Sequence, residues 1–304
     1  MINKILCVIA LGLIAGIAPL GAQTTPAAAP AKVKGRIIVA SAAGQVTAVS
    51  TIDGTSRALK VGDTLSDQTQ VVTADGATAI LVFSNGATVD LAANSTLKID
   101  EFEQDPFATD LKVSDMKEEP GTSITKLDLV KGDLVGKVVH LNVDKGSEFT
   151  VNTPVGAAGI RGTTFRIVYI PDPKTGKVRF EVTTSTGVVL FKGVASGAGI
   201  RIPAGQQVTA TFDYTPPSAG NPSGSVPTTP VVTSTMDIPP GEQTELDNLS
   251  TAISQAVSNA VIQQSSSPAT TGAGTTTTTT TTTNSTTTTT ILQEVNPTVV
   301  SPSS

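Results

Sequence analysis

"NTPVGAAGIRGTTFRI", residues 152–167, is the stretch on which the reading of this chain turns. Gly156, Gly159 and Gly162 recur at every third position, Arg161 is set among small and apolar neighbours, and Thr163 and Thr164 lead into alternating apolar residues. Two architectures produce such a string: a glycine loop that cradles a phosphate, or a corner of a β-structure where the chain turns tightly. A P-loop requires Gly-Lys-Ser/Thr after four intervening residues, and the dinucleotide fingerprint requires Gly-x-Gly-x-x-Gly between a strand and a helix. Here no lysine stands at the required place, the first two glycines are three apart, and "TTFRIVYI" continues as strand. Pro154 forces Thr153 into an extended conformation, and the glycines permit tight turns or close backbone approach. Thr153, Pro154, Gly156, Gly159, Arg161, Gly162 and Thr163 are therefore read as a structural corner. Arg161 is expected to point inward, where a charge requires a carboxylate or several carbonyls as partners. Pointing outward, it would be the best single candidate for a contact residue.

The same β text extends on both sides. From residue 35 to 214, short runs such as "QVTAVS", "ATAILVFS", "KVVHLNV", "EFTVNT", "VRFEVTT" and "GVVLFK" alternate with Gly, Asp and Asn turn signals. No helical pattern separates them, which disfavours a βαβ arrangement. The expected fold is all-β, a solenoid-like or strongly twisted multi-stranded domain. "GATAILVFSN" (residues 76–85) followed at once by "GATVDLAAN" (residues 86–94) is an internal repeat that fits either a hairpin or successive rungs. Residues 100–121, "DEFEQDPFATDLKVSDMKEEPG", are rich in carboxylates but match no calcium-loop spacing, so they are read as a solvated acidic loop.

The ends read differently. Lys4, an apolar run and small residues closing at Gly21 and Ala22 form a secretory signal peptide over residues 1–22, cut after Ala22. The run is shorter than the ~20 residues that span a bilayer comfortably, and no second one follows, so no membrane span is expected after cleavage. Residues 23–34 are a flexible Pro/Ala/Thr leader, and residues 215–240 a Pro/Ser/Gly/Thr linker. In residues 241–264, Leu246, Leu249, Ile253, Val257 and Val261 recur at three- and four-residue spacing, giving one amphipathic helix expected to dock on the β-domain or on a partner. Residues 265–304 are a Ser/Thr-rich tail, expected to be disordered, with Asn284-Ser285-Thr286 as a glycosylation sequon in a host that reads it.

Composition narrows the chemistry. The single cysteine, Cys7, lies in the signal peptide, so a mature chain has no thiolate nucleophile and no cysteine-based zinc site. The net charge of −5 shows no clustered basic surface for nucleic acid, and 3% aromatic residues supply few stacking platforms. The lone histidine, His140, is assigned by alternation to the outer face of its strand, opposite Val139, Leu141 and Val143. It has no Gly-x-Ser-x-Gly elbow to serve, and imidazole zinc sites need more histidines. No catalytic residue, metal or cofactor is assigned.

The stretch also resembles a known family. "VNTPVGAAGIRGTTFRIVY" is similar to the signature of the FecR domain: Thr-Pro, a glycine, then Arg-Gly-Thr before a hydrophobic strand. "ALKVGDTL", "VVTADGATAILVFSNGATVDLAANSTLKI" and "LDLVKGDL" before it, and "STGVVLFK" and "IPAGQQVTA" after it, resemble the family's other segments in order, over residues 44–212. The resemblance implies a periplasmic or extracellular β-module which, in signalling members, receives a message from an outer-membrane receptor. Those members carry a cytoplasmic anti-sigma segment and a transmembrane helix, whereas here only three residues precede Lys4. The expected function is thus a non-enzymatic exported module, for binding or scaffolding, that contacts an envelope or outer-membrane protein. A sensor component working through a separate anti-sigma partner is the alternative, and a carbohydrate-active enzyme with paired carboxylates comes third.

Overall fold

The computed structural model describes residues 31–107, 110–193, 199–215, 235–258 and 260–262. The signal peptide, most of the leader and linker, and the Ser/Thr tail lie outside the described residues. The strands run in order β1 (Val33–Lys34), β2 (Ile37–Ala43), β3 (Val46–Ser50), β4 (Ser56–Ala58), β5 (Thr64–Leu65), β6 (Thr69–Thr73) and β7 (Thr78–Phe83). Then come β8 (Thr88–Leu91), β9 (Thr96–Gln104), β10 (Leu111–Lys112), β11 (Ser123–Lys137), β12 (Glu148–Thr153), β13 (Gly156–Ile160) and β14 (Thr164–Asp172). The rest are β15 (Lys177–Thr186), β16 (Val188–Gly193), β17 (Ile200–Pro203), β18 (Gln206–Asp213), β19 (Met236–Asp237), helix α1 (Pro240–Ala256) and β20 (Val261–Ile262).

The chain is all-β with one helix near its C-terminal end, as the strand patterning predicts. Pairing sorts the strands into two open sheets. Sheet A runs β4-β3-β6-β9-β11-β12-β13-β16-β17, with β1 beside the far end of β9. Sheet B runs β5-β2-β7-β8-β11-β14-β15-β18-β19. Strand β11 belongs to both. Residues 123–131 pair with β9 in sheet A, residues 132–137 pair with β14 in sheet B, and Gly132, at φ +116, stands at the changeover.

Alternation explains why the two sheets face each other. Val71, Leu97, Ile99, Leu127, Phe149 and Val151 of sheet A and Ile37, Leu81, Phe83, Val89, Leu134 and Phe165 of sheet B point into one shared core. Phe83 meets Phe102 edge-on at 5.2 Å and Phe149 at 6.4 Å. The internal repeat resolves as the hairpin β7-β8, with Ala79 opposite Leu91 and Val82 opposite Thr88. Its turn has Gly86 at φ +88, and the buried Asn85 side chain donates to Ser123 Oγ (3.0 Å) and Thr125 Oγ1 (3.2 Å).

Several expected boundaries move. Val33 and Lys34, placed in the leader, pair with Gln104 and Glu103. Residues 100–104, placed in the acidic loop, finish β9, where Phe102 and Gln104 face inward and the charged residues outward. The helix expected over residues 241–264 ends at Ala256, and Val261 instead pairs with Lys112. Helix α1 opens on Pro239-Pro240, the position where a missing N–H costs nothing. It packs on the outer face of sheet B, with Leu246, Ile253 and Val257 against Ile80, Val82 and Val135.

Candidate functional site

The opening stretch forms β12, β13 and the start of β14. Thr153 donates its hydroxyl to Gly156 O at 2.8 Å and accepts from Val155 N at 3.4 Å, closing the turn at which Pro154 is exposed. Strand β13 is paired on both sides, to β12 and to β16, so its amides serve the sheet and offer no phosphate cradle. The glycines differ in what they do. A Cβ on Gly156 would lie 2.5 Å from Lys192 O and 2.8 Å from Gly193 Cα, so only glycine lets these two strands approach. Gly162 adopts φ +68 in the turn to β14, and a Cβ there would press on His140 Cα at 3.2 Å. Thr163 is buried, and its carbonyl accepts from Val138 N at 2.9 Å.

Arg161 does not point inward. It is exposed, with no hydrogen bond or ion pair among the described residues. The reason is strand alternation: Ala158 and Ile160 take the core side, which leaves position 161 to the outer face. It lies in a shallow groove of about 130 Å³ with Thr150, Gly159 and Leu190. His140 is exposed as expected, although its segment is not a regular strand. Val138 and Leu141 are both buried, and a single bridge joins His140 to Glu118.

The buried arginine is Arg166, five residues on and 8% exposed. Its guanidinium forks onto Asp133, Nε to Oδ1 at 3.0 Å and Nη2 to Oδ2 at 2.6 Å, and reaches Glu245 of α1 at 3.5 Å. Phe165, Ile167 and Tyr169 fill the core, so Arg166 is turned to the outer face of sheet B, where α1 covers it. The alternation "TFRIVYI" carried that information, but only the docked helix makes the outer face a buried one.

Around Arg166 lies a carboxylate cluster. Hydrogen bonding to Asp133 holds its guanidinium firmly charged against the opposing effect of burial. Burial, helped by the charge of Asp133, pushes Asp90 up to about 6. Glu242 of α1 is pushed up to about 7 by its hydrogen bond to Glu181, then by burial and the Glu181 charge. Burial alone would raise Glu181, but hydrogen bonds from Glu242 and Arg179 hold it below the usual carboxylate range. Gln207 places its amide nitrogen 3.0 Å from Glu242 Oε2. Two hydrogen-bonded carboxyls between helix and sheet leave no space for a sugar ring, for which glycosidases hold theirs ~5 Å or more apart. The cluster fastens α1 to the sheet. The acidic residues after β9 disperse: Asp105 accepts from Thr122 N at 2.7 Å, Glu119 from Ser123 Oγ and Asn142 N, each at 2.6 Å. Among the described residues no three such side chains converge as metal ligands.

The fold leaves Arg161 exposed at the edge of the signature corner. Residues 69–190 match the family model described as FecR protein, and this part of the chain is a FecR domain, as the Arg-Gly-Thr signature implies. The FecR family is a cell-envelope signalling module. Two crystal structures of a "putative anti-sigma factor" from Parabacteroides distasonis are similar at 15% identity, with TM-scores of 0.35 and 0.34. Each alignment covers 55% of this chain and 59% of that one. A search of curated proteins finds no match. No helix among the described residues is long and apolar enough to cross a membrane.

Proposed function

We propose that this chain is an exported protein-binding module, without enzymatic activity, that serves as a sensor component of cell-surface signalling. It works in the periplasm or outside the cell through a separate membrane partner, an envelope or outer-membrane protein. The observation that carries this reading is the FecR match over residues 69–190. Within the signature, Thr153, Gly156, Gly162 and Thr163 serve the corner, while Arg161 is left exposed and free to contact another molecule. A purely scaffolding role, the first expectation from sequence, has less support because the matched family is a signalling one.

Cross-linking of the full exported chain in its native envelope tests this. Capture of a receptor signalling domain or an anti-sigma protein is the expected result. Capture confined to structural envelope proteins would replace the sensor reading with the scaffold. Sequencing of the exported material should begin at Gln23, and an intact Met1 would refute cleavage.

A further inference from the structure

Gly159 is a glycine that the fold does not require. Its φ is not in the positive region, and a Cβ built on it meets, among the described residues, only Leu190 O at an ordinary 3.7 Å. A glycine inside a strand weakens it, and where no bulge or internal crowding explains it, close approach of another backbone does. Gly159 stands at the centre of a cross-strand row on the outer face of sheet A: Lys126, Thr150, Gly159, Leu190 and Arg201. Ala157 in the next row is also small and pairs with Lys192. The result is a trough floored by Gly159 and walled by Thr150 and by Leu190, which is 45% exposed.

Charge tells what fits there. Arg161, Lys192 and Arg201 are exposed on this side, and none has an ion pair among the described residues. Lys126 is paired with Glu101 at 2.7 Å, and Glu148 accepts from Thr150 at 2.9 Å. We propose that this trough receives an extended acidic segment of another protein, its backbone crossing β13 at Gly159 and its carboxylates meeting Arg161, Lys192 and Arg201. The proposal rests on the protein-binding reading above and adds the chemistry of the partner. The sequence given offers no such acidic segment outside the described residues, where the only Asp or Glu is Glu294.

The test uses the full exported chain and a fluorescein-labelled peptide of alternating Glu and Val, with a Lys/Val peptide as control, read by anisotropy. The Glu peptide should bind, the Lys peptide should not, and binding should weaken with salt as screening shortens the reach of the cations. Gly159→Val should weaken binding by about tenfold or more, yet melt no lower than wild type, because valine suits a strand and has room. Exchanging Arg161, Lys192 and Arg201 together for glutamine should abolish binding. Equal affinity for both peptides, or wild-type affinity in Gly159→Val, overturns the proposal. Unfolding of Gly159→Val also overturns it, since the glycine would then serve the fold. A dimer in sedimentation that Gly159→Val dissolves would assign the trough to a second copy instead. Envelope capture that persists in Gly159→Val would sink this surface and leave the proposed function standing.

Discussion

Replacing Arg166 with methionine removes the cation that holds the cluster beneath α1 together. Asp133 then loses both of its guanidinium hydrogen bonds, at 3.0 and 2.6 Å, while Asp90 and Glu245 remain close by. Breaking a buried pair by deleting one partner costs about 3–5 kcal/mol. The side chains of Arg166 and Asp133 are 10% and 17% exposed, which places this pair at the lower end of that range, near ~3 kcal/mol. For a domain of this size that loss lowers Tm by about 6–12 °C. The deficit has a predictable sign with pH. Without the arginine, the crowded carboxylates of the native state take up protons more readily than those of the unfolded chain, so acidification from pH 7 to 5 should shrink the deficit. Urea melts followed by circular dichroism at both values measure it. A loss below about 1 kcal/mol at pH 7, or one that grows on acidification, would refute the reasoning.

Three further outcomes are expected. Glu242→Gln should flatten the pH dependence between 4.5 and 7: the native carboxyl holds its proton to about 7 while the unfolded one releases it near 4.5. Stability of the wild type therefore falls as pH rises through that window, by about 1 kcal/mol from this half-exposed group once solvent screening is allowed for, and thermal melts across the window would show the slope reduced in the variant. Gly132→Ala should cost at least about 2 kcal/mol by urea denaturation, since φ is +116 and the new Cβ would lie 2.5 Å from Ser95 Cα. Ile253→Ala, fully buried between α1 and sheet B, should cost about 2–5 kcal/mol. Limited proteolysis should then cut the helix first.

Much of this architecture is legible from the chain because strand alternation is a local property. Phe149 and Val151 turn to the core as "EFTVNT" predicts, and Asn85-Gly86 turns the hairpin. Alternation also settles Arg161, whose inward assignment gave too much weight to its glycine neighbours. What was not legible depends on partners far along the sequence. Arg166 is buried by a helix that begins at Pro240, and nothing near residue 166 announces it. The break in "KVVHLNV", where Val138 and Leu141 both face inward, follows from the bridge to Glu118 and the hydrogen bond from Val138 N to Thr163 O, neither of which a periodic pattern encodes.

Strand β11 has a consequence for how the domain comes apart. Its first part is bonded between β9 and β12 and its second part between β8 and β14. A slip of register in one sheet would therefore have to be matched by the same slip in the other, against side chains that alternate oppositely across Gly132. The two halves are in this way tied to a single register. Residues 124–128 and 134–137, paired on both sides, should be among the last amides to surrender their protons in hydrogen exchange.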